Sequence, residues 1–127
     1  MMSDYTVKSI EELESIHHGA VKLAGAALGI RSFGMQVLDF PAGFSDYPAH
    51  DHADDGQEEV YVLLGGSAEF QIDHERVAVA TGQLVRIAPA ATRKLVAGPE
   101  GARILAVGCA GDRPYERPEH FRLEVRA

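Results

Sequence analysis

The chain has 127 residues, 46% apolar and 24% charged, with 12 basic against 19 acidic side chains and a formal charge of −7. That length holds one domain with a single modest core, and the acidic balance argues against electrostatic binding to nucleic acid or to an anionic membrane. No apolar run approaches the roughly 20 residues of a membrane span. The polar, acidic start lacks the basic-then-apolar order of a signal peptide. One cysteine, Cys109, excludes an intrachain disulfide and fits a reducing compartment. A soluble cytoplasmic protein is expected.

Ser9-Ile10-Glu11-Glu12 has the form of a capping box. Ile10, Leu13 and Ile16 then share a helical face, which predicts a short helix ended by His17-His18-Gly19, the two histidines being a solvated pair at its end. Residues 21–30, rich in Ala and Gly, are expected to form a short strand and a turn of helix closed by Gly29. From Phe33 the period becomes two: Phe33, Met35 and Val37 alternate with Gly34, Gln36 and Leu38 as far as Pro41. Residues 59–64 and 68–73 read as strands separated by Gly65-Gly66, with Asp73-His74-Glu75 a hairpin turn into a strand carrying Val77 and Val79. Thr81-Gly82-Gln83 turns the chain into residues 84–88, which Pro89 ends. Residues 94–97 and 103–108 are the last strands, with Gly98-Pro99-Glu100-Gly101 a turn between them and Cys109 an expected core filler. The proline-broken tail is expected to wrap the surface. About eight short strands and little helix after residue 30 mean a sandwich or small barrel.

The chemistry concentrates in residues 43–66. His50 and His52 stand two apart, so an extended backbone aims both the same way. The same rule puts Glu59, Tyr61 and Leu63 on one face of the following strand. Paired as antiparallel neighbours, the two segments would bring Glu59 beside both imidazoles. Two neutral imidazoles and one carboxylate make a three-ligand site for a divalent ion, with positions left open. The bland reading of an HxH on a polar loop is two solvated histidines. Asp54-Asp55-Gly56 reads as a solvated turn.

At these residues the chain resembles the cupin family, specifically its small single-domain members. The first family motif, glycine, HxH, glutamate, glycine, is matched by Gly43, His50, His52, Glu59 and Gly66, with the spacings on either side of the histidines stretched. The second motif begins at Gly82 and keeps the strand-then-proline shape through Pro89. The position of the fourth metal ligand, a histidine in the family, carries Arg93; the glycine before it is Ala90 and the asparagine beyond it Ala97. Arginine does not ligate metals.

The resemblance implies an all-β cupin-type β-barrel (double-stranded β-helix, or jelly roll) with a short N-terminal helical segment. Its core would span residues 33–108, with an N-terminal extension over 1–32 and a C-terminal tail over 109–127. It also implies a homodimer and a small-molecule pocket holding iron, manganese, nickel or zinc through His50, His52 and Glu59. In that pocket Arg93, a cation able to pair with a substrate carboxylate, and Tyr61, on the same strand face as Glu59, are the expected substrate-binding residues. A metal-dependent dioxygenase, decarboxylase or isomerase would fit. So would a binding or sensing protein for an organic anion that has lost the metal, with Arg93 as its cation. His74 and His120 are the remaining candidates for a replacement ligand.

Overall fold

The computed structural model describes residues 4–123. Among the described residues, seven strands run in the order β1-β2-β3-β7-β4-β5, with β6 pairing along the same edge of β4 as β5. They are β1 (Ser15–Ile16), β2 (Val21–Lys22), β3 (Gly34–Phe40), β4 (Glu58–Ile72), β5 (Glu75–Ala80), β6 (Leu84–Ile87) and β7 (Arg93–Cys109). A short helix, α1 (Ala24–Leu28), is closed by Gly29 in the left-handed region, as expected. All strand pairs are antiparallel.

Three expectations need correction. The capping residues form only a three-residue 3-10 turn, Ile10–Glu12, in which the Ser9 N–H donates to Glu12 Oε1 at 2.9 Å. Ile16 leaves the predicted helix because it pairs with Val21, and His17-His18-Gly19 become the hairpin turn, all three at positive φ. So short a helix has little cooperative stability, and tertiary pairing overrides it. Residues 98–101 do not reverse the chain either. They bulge out of a continuous β7 opposite the single residue Ser67, between the pairs Ala68↔Ala97 and Gly66↔Ala102. Cys109, finally, is exposed, since it ends β7 just beyond the buried Gly108.

The bulges decide which side chains face inward. Glu59, Tyr61 and Leu63 occupy inward positions of β4 until Leu64 is squeezed out opposite the Ile104–Arg103 step; beyond it the inward set becomes Ala68 and Phe70. On β7 the inward positions are Arg93, Leu95 and Ala97 before the bulge, then Ala102, Ile104 and Ala106 after it. Gly66, at φ 72, sits where an added Cβ would collide with the carbonyl of Gly101, so the crossing of the two bulges needs glycine. The core gathers around Tyr61, Leu63, Phe70, Leu95 and Ile104. Strand parity therefore drives two charged residues, Glu59 and Arg93, into an otherwise apolar interior.

Candidate metal centre

The histidine segment does not pair with β4 as the sequence pattern led us to expect. It lies along β7: the Gly43 N–H donates to the Gly98 carbonyl, the Ala97 N–H to Phe44, and His50 and Arg93 exchange both main-chain bonds at 2.9 and 3.0 Å. Lys94 ties the loop further, donating Nζ to the carbonyls of Ser45 and Tyr47. The His52 N–H donates to Pro89 O at 2.7 Å, which anchors the far end. The outcome for the side chains is nevertheless the expected one: His50, His52 and Glu59 converge, with one donor atom from each inside a 4.8 Å cluster.

Both imidazoles are held by their Nδ1 edges. His50 Nδ1 lies 3.2 Å from the carbonyl of Pro48, an acceptor only, so it carries the hydrogen in the neutral ring. His52 Nδ1 lies 3.0 and 3.1 Å from the two carboxylate oxygens of Asp55. Asp55 is itself braced by the backbone and side-chain amides of Gln57. Each neutral ring is thus left with its Nε2 lone pair free on the Glu59 side, the arrangement by which histidine ligands are usually oriented. His52 Nε2 is buried and has no hydrogen-bond partner; its 3.1 Å approach to Glu59 Oε1 is close without being aligned for a bond.

The separations allow a direct test of fit. Metal–ligand bonds of about 2.1 Å put neighbouring donors about 3.0–3.4 Å apart in octahedral or tetrahedral geometry. The Nε2 atoms of His52 and His50 lie 3.1 and 3.7 Å from Glu59 Oε1. The donor set fits a divalent ion in number and type; the His52 separation falls in that range, and His50, at 3.7 Å, stands just outside it and would have to close in on an ion.

Glu59 is crowded. Its Oε1 also accepts from the Tyr61 hydroxyl and from Arg93 Nη1, each at 2.6 Å. Burial pushes the Glu59 carboxyl up, but the close approach of the His50 and His52 imidazoles and the hydrogen bond from Tyr61 outweigh it and hold the group well below the ordinary carboxylate range. The same carboxylate raises the pKa of His52 against the opposing effect of burial, with Asp55 adding to the rise. The phenols go the other way. Burial first, then the negative charge of Glu59, pushes Tyr47 up to about 12 and Tyr61 higher still, so both stay protonated.

His50, His52 and Glu59 line a cavity of about 420 Å³, walled by Tyr47, Gln36 and Gln57 and at its mouth by His17, Tyr115 and His120. The tail contributes that mouth because it is tied down. Arg117 Nη2 donates to the carbonyls of Gly25 and Ile30, and the Tyr115 ring packs over Gly34, where a Cβ would meet its hydroxyl at 3.0 Å. His120 lines the cavity but lies outside the ligand cluster, and His74 is exposed in its hairpin turn. Arg93 and Tyr61 do not line the cavity; they lie behind Glu59 and grip it. The solvated turn expected at residues 54–56 conceals the residue that fixes His52. An H-x-x-D spacing from His52 to Asp55 was the available signal.

No protein-family model and no curated protein matches the chain in sequence. Solved structures do. A cupin protein from Bacteroides fragilis superposes with a TM-score of 0.69 at 22% identity, over 99% of this chain and 100% of that one. A sugar phosphate isomerase of the cupin superfamily from Silicibacter pomeroyi gives 0.67 at 18% identity, over 81% of this chain and 74% of that one. The cupin domain of an XRE family transcriptional regulator from Enterobacter cloacae gives 0.55 at 18% identity, over 68% and 84%. The chain is an all-β protein with the cupin fold. An isomerase and a regulator among its likenesses leave the function to be argued from the site.

Proposed function

We propose that this protein binds one divalent metal ion through His50, His52 and Glu59, and that an uncharged polar small molecule shares the cavity above it. The observation that supports the metal is the pair of imidazoles whose Nδ1 edges are taken by Pro48 and Asp55, leaving both Nε2 atoms turned on one carboxylate. Two imidazoles and a carboxylate suit iron(II), manganese, nickel or zinc. When bound, such an ion supplies Lewis acidity toward a ligand oxygen. The chain's own residues orient and exclude: Asp55 and Pro48 set the rings, Tyr61 and Arg93 hold Glu59, and Tyr115 and His120 narrow the mouth. A dioxygenase, decarboxylase or isomerase activity belongs to this reading.

The ligand class follows from the lining. Asp51, Asp54, Asp55 and Glu59 face the cavity, and no lysine or arginine does among the described residues. Beyond the bound ion itself, an anionic ligand would find four carboxylates and no lysine or arginine, whereas Gln36, Gln57 and Tyr47 offer neutral hydrogen-bond partners. Arg93 therefore serves Glu59 in this reading rather than a substrate carboxylate.

A second reading, a metal-free binding or sensing protein, is favoured by one observation. The Arg93 guanidinium already neutralises Glu59, doing in part what a metal would do. Calorimetric titration of chelator-stripped protein with zinc, manganese and nickel separates the two. Saturable one-to-one binding supports the metal reading, and no heat with any of the three ions supports the other. No helix among the described residues is long and apolar enough to cross a membrane. A cytoplasmic homodimer completes the proposal, with the exposed Leu84 on β6 and Val77 on β5 as apolar side chains a second copy could cover; sedimentation velocity tests the dimer.

A further inference from the structure

Arg93 is the only charged residue among the fully buried side chains described, at 0% exposure, and it is joined to two of the three candidate ligands. Its main chain holds His50 through both bonds of the isolated bridge. Its side chain holds Glu59, with Nη1 on Oε1 at 2.6 Å, while Nη2 donates to the carbonyl of Ala88 at 2.8 Å. Its Nε is buried without a partner. Such a residue is a permanent positive charge, out of water, bonded to the carboxylate on which a metal ion would depend.

We infer that Arg93 is a built-in counter-cation that keeps Glu59 compensated when the site is empty and weakens the binding of a divalent ion, so that the metal is held exchangeably. This inference rests on the metal reading above. Two effects of opposite sign are in play. By gripping Oε1, Arg93 fixes Glu59 in place, which aids an incoming ligand set. By its charge it repels the ion, and at an effective dielectric near 20 that repulsion over a few Å is worth several powers of ten in affinity. Charge is the larger effect, so removing it tightens binding.

The sign makes the test discriminating. Zinc and manganese affinities are measured by chelator competition on the purified full chain and on Arg93→Gln, Arg93→His, Arg93→Lys and Tyr61→Phe. Arg93→Gln and Arg93→His are expected to bind at least about tenfold more tightly, and their thermal midpoints to rise more on adding metal than that of the wild type. Arg93→Lys keeps a cation, held protonated by the Glu59 carboxylate beside it, and is expected to stay within about threefold of wild type. Tyr61→Phe removes a neutral donor from the same oxygen and is also expected to shift affinity little. Equal or weaker binding by Arg93→Gln and Arg93→His, with the wild type still binding, overturns the inference and leaves the metal reading standing. Tighter binding by Arg93→Lys overturns it as well, and does so even if the neutral variants do not fold. No binding by any of the five proteins overturns both.

Discussion

In metal-free protein the Glu59–Arg93 pair is a stability element whose worth can be measured. Arg93 is fully buried and the Glu59 side chain is 12% exposed, so neither partner is repaid by water if the other is removed. At an effective dielectric near 20 the attraction of two unit charges about 4 Å apart is about 4 kcal/mol. Removing one partner of such a buried pair costs about 3–5 kcal/mol. Glu59→Gln preserves the shape and one acceptor, which places it near the lower end, at about 3 kcal/mol. For a chain of this length each kcal/mol moves the thermal midpoint by about 3–5 °C, so a drop of about 9–15 °C is expected. Arg93→Met should cost a similar amount. The double variant should lose much less than the sum, because an apolar pair in that space leaves nothing charged to bury. A double-mutant cycle in urea, with chelator present throughout, should return a coupling of at least about 2 kcal/mol. A midpoint for Glu59→Gln within about 3 °C of wild type, or strictly additive losses, would refute the reasoning.

Four shorter predictions follow from other contacts. Asp55→Ala frees His52 Nδ1, and metal affinity in a chelator competition should fall about 10–100-fold with little change in the thermal midpoint. Gly66→Ala meets the Gly101 carbonyl at a positive φ, and urea unfolding should show a loss of about 2–4 kcal/mol. Arg117→Ala removes the tie between the tail and the carbonyls of Gly25 and Ile30; chymotrypsin should then cut at Tyr115 and Phe121 well before global unfolding. Cys109 is exposed, so a disulfide reagent should label it fully in native protein, and protection until unfolding would contradict its placement.

The strands were readable where the period of two was unbroken, as in the alternation of Phe33 to Leu38 or of Ala68 to Asp73. What could not be read was continuity. Gly65-Gly66 and residues 98–101 carry the composition of turns, yet the chain runs straight on, because each bulge is held by the strand opposite it. Ile16 departs from its local helical spacing for a related reason: its partner Val21 lies beyond a turn that such spacing ignores. In the site, HxH and Glu59 announced themselves by residue type, and parity put Glu59 on the right face. The supporting contacts were hidden. Asp55 has the composition of an ordinary turn former, Tyr61 and Arg93 have the chemistry of ligand-facing residues yet stand behind Glu59, and the tail reaches the cavity through Arg117, which contacts Gly25 and Ile30. Such contacts depend on how distant segments pack, which local pattern does not encode.

Metal content decides most. Protein purified without a histidine tag or chelator, analysed by mass spectrometry beside the variant His50→Ala/His52→Ala, should carry a transition metal or take up about one equivalent on reloading. The variant should do neither. Wild type that is metal-free as purified and takes up no iron, manganese, nickel or zinc on reloading would contradict the reading, and leave the Glu59–Arg93 pair as the final state of the site.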